Sequence, residues 1–273
     1  MKKLSSVLLD GESLNKLKIE GENIYSLPKL TREELENLLE PEERVSAWPE
    51  LEKLLNEYFQ LRDQSGKHKE KIAVLDDIID LPFDNFLVWF EKGKWLSESG
   101  EHNKAIECFE KALVMCPKDL LFPEPDKNIK PHFIRAEIFF SLGAALSMSN
   151  VDQHAPNIET EQHAIECFDK AIELDPNNPN AWGVKGNAVS KLAVIEKNES
   201  RRKRMYEESI ECYDKSFEIN PNPAVLCGKG VILCLLGKKE EALVCLDKVI
   251  EMDPNSKEME LVKKLKKDYD LGT

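Results

Sequence analysis

A chain of 273 residues with 41% hydrophobic and 33% charged residues has apolar content enough for a core. Its 12 glycines and 7% aromatics favour helix over sheet. The formal net charge of −13 argues against general nucleic-acid binding, which rests on Lys and Arg neutralising phosphates. No run of about 18 apolar residues exists, so no membrane-spanning helix is expected.

Met1-Lys2-Lys3 imitates the basic start of a secretory signal, but Asp10 and Glu12 cut the apolar stretch Val7-Leu8-Leu9 short, so export is not expected. Asp10-Gly11 and Glu20-Gly21-Glu22 are turn signals, and residues 1–30 read as a small hairpin or an extended segment. Thr31-Arg32-Glu33-Glu34 is a capping box that opens a short helix. Residues 1–50 are therefore an N-terminal extension with short helices.

Leu51, Leu54, Leu55 and Tyr58 predict a helix, and Ile72, Leu75, Ile78 and Ile79 a second. The pair, residues 51–85, reads as a degenerate repeat or a helical cap. Gly66 stands between the two helices.

Four related segments follow: Ala105–Leu113, Ala164–Ile172, Ser209–Phe217 and Ala242–Ile250. In each, a small residue is followed three residues later by Cys and four residues later by Phe, Tyr or Leu, and a proline closes the unit at Pro117, Pro176, Pro221 or Pro254. Upstream, Trp89/Gly93/Leu96, Phe139/Gly143/Leu146, Trp182/Gly186/Val189 and Leu226/Gly230/Leu233 repeat one spacing. A glycine inside a helix costs about 1 kcal/mol of propensity. Four in register need a packing reason, and close helix–helix approach supplies it. Asn178-Pro179 and Asn222-Pro223 predict helix starts, with Asn as N-cap and Pro in the first turn.

This pattern resembles the tetratricopeptide repeat (TPR), a 34-residue helix–turn–helix unit. The resemblance implies an all-α fold: a right-handed superhelical solenoid of antiparallel helix pairs, with units at 86–119, 136–178, 179–222 and 223–256. The leucine usual before the first-helix glycine is replaced by Lys92, Lys185 and Lys229, and only Leu142 keeps it. Repeat two carries an extra segment, Asn150 to Thr160, that reads as a loop. Repeat three has an eleven-residue insertion between Gly186 and Ser209, close to three helical turns. Both its helices should lengthen into a projecting hairpin. Leu261, Val262, Leu265 and Tyr269 give residues 257–273 the stripe of a C-terminal capping helix.

The seven cysteines, Cys108, Cys116, Cys167, Cys212, Cys227, Cys234 and Cys245, are odd in number and lack CxxC spacing. Four share one repeat slot. They are expected to be reduced, buried thiols, which implies a cytoplasmic location. No P-loop, GxSxG, HExxH or GxGxxG motif is present. The five histidines show no ligand spacing, and His154 and His163, flanking the repeat-two insertion, are read as exposed loop residues. No enzyme activity, cofactor or metal is expected. Arg201-Arg202-Lys203-Arg204 reads as a solvated helix start.

In the family that the chain resembles, first helices line a concave groove that holds a peptide or a helix. Carried over by slot, the groove residues of repeat one are Leu87, Phe90, Lys94, Ser97 and Glu98. The candidate binding residues overall are Leu87, Phe90, Lys94, Phe140, Ala144, Asn187, Cys227 and Val231. Groups of that family that clamp a carboxylate need Lys and Asn at successive slots. Here Phe90 and Phe140 stand where the leading lysine should be, and Gly228 where the arginine should be. The groove thus reads as apolar and lightly polar, suited to an apolar peptide or an amphipathic helix of another protein. The alternative is self-association, with the N-terminal segment or a neighbouring chain in the groove. No membrane partner is expected.

Overall fold

The computed structural model describes residues 48–81, 86–116, 131–149, 157–255 and 258–271. The capping box at Thr31, the turn signals before it, His154 and Pro117 lie outside them. Among the described residues there are only helices and their connections. The chain falls into two compact units, which divide between Ser149 and Asn150.

The first unit holds α1 (Trp48–Arg62), α2 (His68–Ile79), α3 (Phe86–Glu98), α4 (His102–Met115) and α5 (Pro131–Ser149). Each helix packs on the next, and α3 also meets α5. The second holds α6 (Ile158–Leu174), α7 (Pro179–Ile195), α8 (Glu199–Ile219), α9 (Pro223–Leu235), α10 (Lys239–Met252) and α11 (Met259–Asp268). Consecutive helices pack here too, α7 meets α9, and α11 rests on both α9 and α10.

The repeat slots explain this packing. Ala105, Ala164, Ser209 and Ala242 are all 0% exposed. A Cβ on Gly93 would lie 2.6 Å from the Phe109 ring, so only glycine lets α3 and α4 approach this closely. Gly230 faces Leu246 in the same way at 2.8 Å. Helices α4, α6, α8 and α10 each end two residues before the repeat proline. The intervening Cys116, Asp175, Asn220 and Asp253 are not helical, with ψ between 85° and 118°, because a following proline disfavours the helical conformation.

Helix starts follow side-chain chemistry. Asn178 accepts from the N–H groups of Asn180 and Ala181, and Asn222 from that of Ala224, each before a proline in the first turn. Asn157 and Asn198 cap α6 and α8 likewise. The Asn157 cap corrects the expected loop: Ile158, Glu159 and Thr160 are already helical. Helix α5 also opens earlier than the expected repeat boundary at 136, at Pro131.

In the second unit the expected insertion lengthens both members of a hairpin. Helix α7 has 17 residues against 13 in α9, and α8 has 21 against 14 in α10. Four extra residues in one and seven in the other absorb the eleven inserted.

The three lysines that replace leucine share one task. Lys92 pairs with Asp76, Lys185 with Asp169 at 2.7 Å, and Lys229 with Asp214. Each joins the first helix of a hairpin to the helix before it. Lys266 of α11 repeats the contact on Asp247 of α10 at 2.7 Å. A leucine would supply packing at this slot. A lysine supplies both its apolar stem and a charge for the neighbouring helix. The step from α4 to α5 keeps Leu142, which is buried, and Arg135 instead donates to the α4 carbonyls of Leu113 and Cys116 at 3.2 and 2.8 Å.

Candidate protein-binding surface

The eight candidate residues divide into two groups. Leu87, Phe90, Cys227 and Val231 are packing residues, a correction to the expected apolar groove: they are 2%, 0%, 0% and 4% exposed. Phe90 packs against Phe109 of α4 in a tilted pair, ring centroids 5.8 Å apart. Cys227 and Val231 belong to a core cluster with Val262 and Leu265 of α11. The apolar stripe of the terminal helix needs an apolar surface to bury against, and the α9 slots provide part of it.

Lys94, Phe140, Ala144 and Asn187 are half-buried and reach solvent. Lys94 and Asn187 lie in different compact units. The Lys94 ammonium is 3.0 Å from Glu91 Oε1 and 5.6 Å from the centroid of the Phe90 ring. Glu91 Oε2 in turn accepts from the Tyr58 hydroxyl at 2.6 Å, and that hydroxyl accepts from Trp95 Nε1 at 2.8 Å. Burial first, and then the Glu91 charge, holds the Tyr58 hydroxyl well above its usual pKa, so it remains a donor.

On α7, the Tyr213 hydroxyl of α8 donates to Asn187 Oδ1 at 2.6 Å. This fixes the amide so that Nδ2 is the group left for another partner. Burial pushes the Tyr213 pKa up and keeps the donor protonated. One turn beyond Asn187, Lys191 Nζ lies 2.8 Å from Glu161 Oε1, a carboxylate on a residue that is 0% exposed. Ser209 Oγ donates to the Gly186 carbonyl at 2.8 Å and Ser216 Oγ to the Pro179 carbonyl at 2.7 Å, riveting α8 to α7. Sequence reasoning marked Asn187 but not Tyr213, its orienting partner 26 residues away. A tyrosine in a slot otherwise Phe or Leu was the available signal.

The basic run at the start of α8 is largely spent on local structure. Arg202 donates to the Glu196 carbonyl at the end of α7 at 3.3 Å, Arg201 pairs with the Glu196 carboxylate at 3.4 Å, and Lys203 lies 3.9 Å from Glu207. All seven cysteines are buried thiols. Burial raises the pKa of Cys212 and Cys227 to about 12 and that of Cys234 to about 11. Reactive thiolate chemistry at neutral pH is thereby disfavoured. Among the described residues no three His, Cys, Asp or Glu side chains are placed to hold a metal ion, and no helix is long and apolar enough to cross a membrane.

Helix pairs with small residues at the α3–α4, α7–α8 and α9–α10 crossings define an all-α repeat array. The tetratricopeptide-repeat family model matches residues 86–119, and a second model of the same repeat matches 158–178, 200–223 and 224–256. The matches omit α5 and α7, next to the insertions that break the 34-residue period. Solved structures share the fold. A crystal structure of MamA is 21% identical over 71% of this chain and 92% of its own, with a TM-score of 0.54. YrrB, titled a TPR protein with an unusual peptide-binding site, is 20% identical over 78% of this chain and 90% of its own, TM-score 0.55. MamA 41-end from Desulfovibrio magneticus RS-1 is 16% identical over 76% and 97%, TM-score 0.56. Comparison with curated protein sequences finds no match. The chain thus carries tetratricopeptide repeats within residues 86–119 and 158–256.

Proposed function

We propose that the array is a non-enzymatic scaffold that binds an extended segment of another protein along its first helices. Asn187 carries this reading. Its carbonyl oxygen is committed to Tyr213, so it offers amide N–H donors from a rigid helix, where an extended main chain presents carbonyl acceptors. In the first unit, taken by itself, Phe140, Ala144 and Lys94 are the corresponding contacts. An amphipathic helix is the poorer ligand, because the apolar slots at Leu87, Phe90, Cys227 and Val231 are filled by the protein's own core. YrrB, similar in fold, is described as having a peptide-binding site, which supports the reading. The buried thiols support a reducing compartment, the cytoplasm, as its place of action.

Selection of short random peptides on the full chain tests the proposal. Enriched peptides should bind the wild type and lose about tenfold in affinity with Asn187→Ala, the scale of one lost hydrogen bond to a well-placed donor, with Tm lower by about 2–4 °C because the Tyr213 hydroxyl loses its acceptor. Failure to enrich any peptide would reject it.

A further inference from the structure

Gly66 and Gly100 share a left-handed turn conformation, with φ of +75° and +84°, and lie one repeat length, 34 residues, apart. In that register the buried Leu75 and Ile78 fall on the core slots of Phe109 and Ala112. Phe59 and Lys71 fall on the slots of Gly93 and Ala105, where α3 and α4 come closest. The α1–α2 crossing thus carries a ring and an amine where the next hairpin carries a glycine and an alanine. Lys71 is nonetheless 2% exposed. Its ammonium lies 3.6 Å from the centroid of the Trp95 ring on α3, and among the described residues no hydrogen-bond acceptor or ion-pair partner meets it. A ring face returns only part of the hydration that a buried ammonium gives up.

Trp95 joins three helices. Its Nε1 donates to the Tyr58 hydroxyl of α1, and the His68 ring of α2 lies 5.7 Å from its own. Helix α2 packs on α1 and α3. From α1 and the turn after it, this cluster receives Tyr58, Arg62 and Asp63. From α3 it receives Glu91, Lys94 and Glu98, and His68 Nδ1 lies 3.8 Å from Glu98. Asp63 and Glu98 act on Lys71 only at a distance. Burial outweighs both and holds the amine below its ordinary pKa. We infer that Lys71 is a pH-sensitive latch: protonated, it loosens the α1–α2 hairpin from α3, and on losing its proton it lets the hairpin close. A free lysine titrates near pH 10.4, roughly. Between the lowered value and that one, the open hairpin binds more protons than the closed one, so closure strengthens as pH rises. Below that window the penalty of the buried charge is present in full.

The readout must be local, because the buried thiols of the second unit respond to the same pH range. The full chain is labelled with 5-fluorotryptophan, and the Trp95 fluorine signal is assigned by its loss in Trp95→Phe. That signal, and quench-flow amide exchange of α1 and α2 corrected for intrinsic rates, are followed from about pH 7 to about pH 9.5. In the wild type the Trp95 signal should shift with pH, and protection of α1 and α2 relative to α4 should rise about twofold or more along with it. Lys71→Met keeps the stem without the charge and should hold the hairpin at its high-pH protection throughout. Lys71→Arg, charged at every pH used, should hold it at the low-pH level. His68→Gln should leave the alkaline response intact, which separates Lys71 from the neighbouring imidazole. A wild-type hairpin whose protection stays flat or falls as pH rises overturns the inference, and so does a response that survives in Lys71→Met. The wild-type titration decides by itself if either Lys71 variant misfolds.

Discussion

The α3–α4 and α7–α8 hairpins solve the same packing problem with different chemistry. In the first, Gly93 leaves room for the Phe109 ring, Ala105 is fully buried, and the turn closes on Gly100. In the second, Ser209, Tyr213 and Ser216 replace Ala, Phe and Ala, and every hydroxyl is bonded to α7. The array requires small volume at its crossings, not alanine as such. Where the slot becomes polar, the hydroxyl can hold a side chain on the neighbouring first helix. The apolar hairpin supplies stability, and the polar one supplies stability and an oriented Asn187.

The largest effect should come from the apolar hairpin. Phe109→Ala removes a side chain 1% exposed and should cost about 3–5 kcal/mol in chemical denaturation, as large aromatic truncations in cores do. Alkaline pH should destabilise the second unit. Its thiols at Cys212, Cys227 and Cys234 remain protonated when folded, up to about pH 12, 12 and 11, but ionise near pH 8.5 when unfolded. The unfolded state then binds fewer protons, so stability is fully present below pH 8.5 and falls as pH rises toward 12. Tm measured across that range should decline, and Cys212→Ala should flatten the decline.

Gly93→Ala forces a methyl to within 2.6 Å of Phe109 and should cost about 1–3 kcal/mol, whereas Gly186→Ala, whose added methyl would meet Tyr213 at 3.1 Å, should cost less. Equal losses would show that the two crossings are not differently tight. Tyr213→Phe removes one hydrogen bond and should cost about 1 kcal/mol, yet lower peptide affinity by freeing the Asn187 amide to rotate. Smallest of all, Lys185→Met should change stability by less than about 1 kcal/mol, because both of its acidic partners are largely solvated and the apolar stem is kept.

The repeat itself was legible because close approach demands small residues at fixed spacing and proline ends each unit wherever it stands. Helix starts at Asn178 and Asn222 were legible for the same local reason, and Asn157 and Asn198 obey it too. The lengthened hairpin followed from counting residues between Gly186 and Ser209. The binding surface was only half legible. A slot gives the face of a helix on which a side chain lies, not what covers that face, so Phe90 and Cys227 read as accessible although α4 and the α9–α11 cluster bury them. The Tyr213–Asn187 bond and the Lys–Asp pairs join residues 15 or more apart, so they emerge only when the helices are stacked.

The account's central claim, that ligands are held by first helices, is tested most directly by hydrogen–deuterium exchange of the full chain with and without a selected peptide. Backbone amides of α3, α5 or α7 should gain protection with the peptide, and those of α4, α8 and α10 should change little. Protection confined to α4, α8 and α10 would contradict it.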